Sequence, residues 1–218
     1  MKLKKILTIL SFAAIICSCS NEKEEVYSCN KQLNNWAHKN ISGIRSMQRE
    51  TWLKLDENYK NTAYSAFTAD KKMLFWKDKI RETLELDWTE QEADHIYKLY
   101  TYLDERPDFF KVEYISDPQN LANYEEFVRT WKRDAIYNLN WSEEQVYAIC
   151  YTGNRLVNKD GDIELMKSMR LKTVAETVKP NTCDCNTTMD GGCKTGCTGG
   201  GYNCGPLRAV SCNGKKGN

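Results

Sequence analysis

The sequence predicts an all-α protein, a helical bundle of about five to seven helices followed by a small disulfide-rich C-terminal tail. Three observations carry this expectation. Apolar residues recur at helical spacing through residues 29–178. Nine of the 12 Gly lie at or beyond Gly191, which leaves only Gly43, Gly153 and Gly161 in that stretch. Six of the 10 Cys lie between Cys183 and Cys212. With 218 residues, 41% of them apolar, the chain is long enough for one core and one appendage. Lys+Arg number 31 against 30 Asp+Glu, so no basic excess points to nucleic acid.

Residues 1–18 are read as a signal peptide. Lys2, Lys4 and Lys5 make a basic start, and Ile6 to Ile16 is an apolar run too short to span a bilayer. The segment Ile16-Cys17-Ser18-Cys19 resembles a bacterial lipobox, with an aliphatic residue three places before Cys19 and a small one immediately before it. That resemblance implies cleavage before Cys19, lipidation of Cys19 and a membrane partner reached through an N-terminal lipid anchor. Several acyl chains give stable anchoring where one does not. Losing three Lys leaves the mature chain at a net charge of −2. Residues 19–28 form a tether that includes Ser20-Asn21-Glu22-Lys23-Glu24-Glu25. It is either a solvated linker or, by its similarity to Bacteroidetes lipoproteins, a surface-export signal, which implies display on the outer membrane.

The helical domain is expected over 29–178. Leu33, Trp36, Ala37, Ile41, Ile44 and Met47 form a first stripe, and Met73, Trp76, Ile80 and Leu84 a second. Ala93, Ile96, Tyr97, Tyr100 and Leu103 form a third, ended by Pro107. Leu121, Tyr124, Val128, Trp131, Ala135 and Leu139 form a fourth, opened by Asp117-Pro118. Val146, Ile149, Cys150, Gly153 and Leu156 form a fifth. A shorter helix is expected around Tyr59 to Phe67, and Ile163 to Val178 reads equally as helix or extended chain. Thr89-Glu90-Gln91-Glu92 and Ser142-Glu143-Glu144-Gln145 are capping boxes, each preceded by a Trp placed to staple onto its helix. They belong to an internal echo: Leu86-Asp87-Trp88-Thr89-Glu90 recurs as Leu139-Asn140-Trp141-Ser142-Glu143. This is either a duplicated helical hairpin or a coincidence of capped helices. The six Trp fall on or beside apolar stripes and read as core rather than as a ligand-binding face.

Residues 179–218 form the Cys/Gly-rich module. Its few apolar residues cannot bury a core, so cross-links are expected. In an exported chain Cys183, Cys185, Cys193, Cys197, Cys204 and Cys212 are read as three disulfides with 15 possible pairings. The tail has no His and only Cys193 and Cys197 at zinc-like spacing, so no metal ligand set is assigned. Lys194, Arg208, Lys215 and Lys216 against Asp184 and Asp190 leave the tail positive, a lean toward an anionic envelope or protein partner.

The run Cys183-Asp184-Cys185-Asn186-Thr187-Thr188-Met189-Asp190-Gly191-Gly192-Cys193, with Cys204-Gly205 and Ser211-Cys212-Asn213-Gly214, resembles the fulvocin C bacteriocin. Phe75 to Ile80 followed by Leu86-Asp87-Trp88-Thr89 is similar to the helical region of fulvocin C-related proteins, exported proteins of Bacteroidetes type. The resemblance implies a bacteriocin-like tail on a lipid-anchored carrier. The tail carries fewer half-cystines than that pattern and has Pro206-Leu207-Arg208-Ala209-Val210 in place of an aromatic-rich strand.

The sequence offers no catalytic or cofactor-binding set. His95 reads as a solvated-face residue, Cys150 as a buried thiol, and Cys29 as free or paired with Cys150; His38 with either Cys lacks the surroundings of a thiol protease. The first functional reading is a surface-anchored, non-catalytic lipoprotein whose tail acts in cell-surface interaction, including antagonism of other bacteria. A passive lipoprotein with a stapled knob and an unrecognised enzyme are the other two. Cys19→Ala is expected to abolish palmitate incorporation and release the protein from membranes; labelling that survives the substitution would refute the lipobox.

Overall fold

The computed structural model describes residues 25–28, 30–164 and 202–211. Asn30 caps α1 (Lys31–Lys39) by accepting from the Gln32 and Leu33 amides. The first stripe is not one helix. Asn40 closes α1, turns its side-chain amide back to the Trp36 carbonyl at 2.8 Å, and α2 (Ile41–Ser46) starts afresh. Then follow α3 (Arg49–Leu53), α4 (Glu57–Ser65) capped by Asp56, and α5 (Ala69–Leu84) capped by Thr68. The chain continues through α6 (Glu90–Asp104), α7 (Val112–Ile115), α8 (Pro118–Asn138) and α9 (Glu143–Cys150). Nine helices among the described residues exceed the expected five to seven, because the first stripe splits and the short α3 and α7 carry too few turns to show a periodicity. Two short strands, β1 (Tyr202–Cys204) and β2 (Val210–Ser211), pair antiparallel around a 3-10 turn at Pro206–Arg208.

The core reading of the Trp holds: Trp52, Trp76, Trp131 and Trp141 are buried, and Trp36 and Trp88 pack half-buried against the same core. Three expectations are corrected. The fifth stripe ends at Cys150, so Gly153 and Leu156 are not helical. A Cβ on Gly153 would lie 2.5 Å from Phe75 and 2.9 Å from Trp52, so this close approach requires glycine. In α6 it is Leu99 and Tyr102 that face inward with Ile96 and Leu103, while Tyr97 is 52% exposed. His95 is not on a solvated face; it is buried against α8. Of the ambiguous stretch, Ile163 forms an extended bridge to Leu156, and residues 165–178 lie outside the described residues.

Both capping boxes form, and the two echoed corners meet. The Trp88 and Trp141 rings are 5.5 Å apart. His95 stacks on Trp131 at 4.9 Å, edge-on to Trp141 at 5.5 Å. His95 Nε2 donates to the Trp131 carbonyl at 3.0 Å, and Trp131 Nε1 donates to the His95 carbonyl at 2.8 Å. This reciprocal pair fixes α6 against α8. Lys159 joins the two boxes: its amine donates to Glu92 at 2.9 Å, and its carbonyl accepts from the Gln145 side chain at 2.6 Å. The turn that carries it passes through Gly161, whose φ of +96° and contact with the Glu144–Gln145 backbone exclude other residues.

A second polar tie lies elsewhere. Glu82 of α5 receives Arg49 of α3 and Arg155 after α9, both at 2.5 Å, and Arg49 also donates to the Gly153 carbonyl at 2.9 Å.

Partial burial raises the Glu92 pKa, but Lys159, both Thr89 donors and the Trp141 indole outweigh it and hold the carboxyl at about 2. Because this pKa is depressed in the fold, the stabilisation is present above the unfolded value of about 4.3 and is lost as pH falls toward about 2. Glu92→Gln is expected to cost about 1–2 kcal/mol at pH 6. In urea titrations the gap from the unsubstituted chain should close on going to pH 2; a gap unchanged by pH would refute the assignment.

Candidate functional site

The described part of the cysteine-rich tail does not stand apart from the helices. The turn between β1 and β2 enters a seat formed by α4, α8 and α9, where Leu207, Arg208 and Ala209 are 0%, 4% and 2% exposed. α4 supplies Tyr64, which its spacing from Lys60 and Ala63 directs inward. α8 supplies Tyr124, one turn before Val128 and two before Trp131 on the buried stripe.

The two phenols read the main chain of the turn. Tyr64 donates to the Leu207 carbonyl at 3.3 Å and itself accepts from Trp76 Nε1 at 2.8 Å. Tyr124 donates to the Pro206 carbonyl. Burial raises both pKa values, against the opposing charge of Arg208 at Tyr64, so both hydroxyls stay protonated and act as fixed donors. The Arg208 guanidinium lies 4.1 Å over the Tyr64 ring, and the Lys72 amine lies 5.2 Å from the same ring. Burial and the Arg208 charge push Lys72 down to about 8.

The turn is held in an uncommon conformation. Gly205, Leu207 and Arg208 have φ of +71°, +49° and +50°. Glycine adopts this region freely, but the two side-chain-bearing residues cost about 1–2 kcal/mol each. Strain of this kind persists only where surrounding contacts over-determine it, and here the enclosed Leu207 side chain and two phenol donors do so. Arg208, expected among the solvent-facing charges of the tail, is inside the protein and contributes little to an anionic-partner surface.

Of the predicted site residues, Cys204 lies in β1 with its backbone opposite Val210. Cys19, Cys29, Cys183, Cys185, Cys193, Cys197 and Cys212 lie outside the described residues, as do the signal peptide and most of the tether. Cys150 is a free, buried thiol bonded to the Val146 carbonyl at 3.3 Å, and burial pushes its pKa up, the opposite of an activated nucleophile. Among the described residues no cluster of His, Cys, Asp and Glu is suited to a metal.

Two features were missed from sequence. A concavity of about 430 Å³ between α6 and α8 has the stacked Tyr102 and Phe127 rings in its lining. Arg106 there is already engaged with the Tyr102 carbonyl and Glu105. The second is Lys79 of α5, wholly enclosed, with an amine that has no hydrogen-bond partner among the described residues. A near-neutral lysine suits nucleophilic chemistry, but this one is closed to any substrate. No sequence signal marks it, since it sits within an ordinary alternation of Lys and Asp. Tyr124 was legible as a stripe position and Tyr64 only as part of an expected short helix; neither was legible as a tail receptor.

Compared with protein-family models, with curated proteins and with solved structures, the chain matches none.

Burial, then the Arg49 charge, lower Lys79 to about 7, with Glu82 opposing. Between that value and the unfolded value of about 10.4 the unfolded chain holds the extra proton. Stability therefore rises with pH across that interval, and the burial cost is in full force below about 7. Lys79→Met is expected to stabilise the protein by about 1–3 kcal/mol at pH 6.5 and to flatten the alkaline rise in the denaturation midpoint. A less stable variant that keeps the rise would show the amine to be structurally required.

Proposed function

We propose that the chain is a surface-anchored, non-catalytic lipoprotein whose helical body holds a cysteine-rich, bacteriocin-like tail for interaction with other cells, including antagonism of competing bacteria. The observation that carries this reading is the seating of Gly205–Ala209, just after Cys204 and three residues before Cys212, against Tyr64 and Tyr124, with its Arg208 stacked on the Tyr64 ring. A body that invests its buried phenols in gripping the tail is built to hold it. The lipobox-like Ile16–Cys19 supports the lipid anchor and outer-membrane location, and the six-Cys spacing supports a disulfide-stapled module. The balanced charge supports an envelope or protein partner rather than nucleic acid.

Cell binding and growth inhibition by the intact chain, compared with a chain truncated after Lys179, test this assignment. Both activities are expected to disappear on truncation. A truncated chain with full activity would move the function to the helices, and full protection of the protein from protease added to intact cells would place it inside the envelope.

A further inference from the structure

We infer that the seat on the helical body is a peptide-binding site in its own right, which retains the tail turn without the covalent link between them. Its occupant is the turn Gly205–Ala209, from this chain or from a second copy. The ligand chemistry is specific: two consecutive main-chain carbonyls, an apolar side chain and a guanidinium, presented on a turn with positive φ.

Three observations carry the inference. The grip is long-range: Tyr64 and Tyr124 stand 143 and 82 residues from the carbonyls they hold. Chain connectivity is therefore not what orients the donors. The contact is closed, with Leu207 at 0% exposure and Arg208 stacked on the Tyr64 ring. Fully desolvated, well-packed contacts that include Tyr and Arg carry most of the energy of an interface. Finally, Leu207 and Arg208 are kept in the left-handed region, which residues with side chains leave when unsupported. The body therefore supplies the turn's order, as a receptor does.

The link runs through residues 165–201. If the seat acts as inferred, cutting it does not free the tail. Release requires a competitor that occupies the seat, and the body of one copy captures the freed tail of another. This rests on the reading of the body as a holder of the tail. Its readout is retention rather than growth inhibition, so its failure is separable from failure of that reading.

The experiment uses the full mature chain with a long protease-sensitive insertion after Pro180 and Cys29→Ser, so that Cys29 cannot bridge the halves. After cleavage confirmed by mass, the oxidised sample is chromatographed at micromolar concentration. The halves are expected to co-elute. Leu207→Ala in the nicked chain is expected to weaken retention about 30-fold or more. Tyr64→Phe with Tyr124→Phe, which keeps both rings, should weaken it about 10-fold while leaving the helical circular dichroism unchanged. Separation of the unsubstituted nicked halves would overturn the inference. So would equal retention by the Leu207→Ala chain, which would place the hold elsewhere.

Discussion

The contact between Trp88 and Trp141 is the constraint on which the rest of the body depends. Each indole sits at the entry to a capped helix, so their 5.5 Å approach brings the N-terminus of α6 to that of α9. Two helix N-termini concentrate positive dipole ends and unpaired amides in one place. Glu92 answers that requirement with a single carboxylate that closes its own box and receives the Trp141 indole and Lys159 from its neighbours. The His95–Trp131 pair extends the same junction one turn further. With α6, α8 and α9 so fixed, Tyr124 is carried to the place where the tail turn arrives.

The second tie explains how the far side of the seat is kept in position. Arg49, Glu82 and Arg155 join α3, α5 and the segment after α9 by charge-assisted bonds that are mostly out of solvent. Removing Glu82 would leave the buried Arg49 guanidinium with the Gly153 carbonyl but without its carboxylate, a larger loss than the pair itself is worth. Trp52 and Phe75 press on Gly153 in the same region, so polar and apolar contacts determine the same chain path. Tyr64 follows from this packing, since its ring lies 5.5 Å from Phe75 and its hydroxyl is fixed by Trp76.

Features decided within one turn of helix were legible in the sequence. The capping boxes, the Asp117-Pro118 start, the inward Trp76, Ile80 and Trp131, and the buried Cys150 all follow from neighbours three or four residues away. Features decided across the fold were not. His95 reads as a polar residue on a capped helix, and only the arrival of Trp131 supplies its partner. Asn140 takes φ of +57° just before the inward-turned Trp141, whereas Asp87 at the matching place has no positive φ, so the echo in sequence hides a difference in backbone. Pro206-Leu207-Arg208 carries no sequence signal of enclosure, and only the seat formed by distant helices gives it one.

Tyr64 and Tyr124 bind carbonyl oxygens, which every residue possesses. Such recognition registers the path of the backbone and leaves most side-chain identities unread. Of the seated turn, the positive φ of Gly205 and the enclosed side chains of Leu207, Arg208 and Ala209 are what this contact constrains. A scaffold that reads backbone can therefore stay constant while side chains around that contact change.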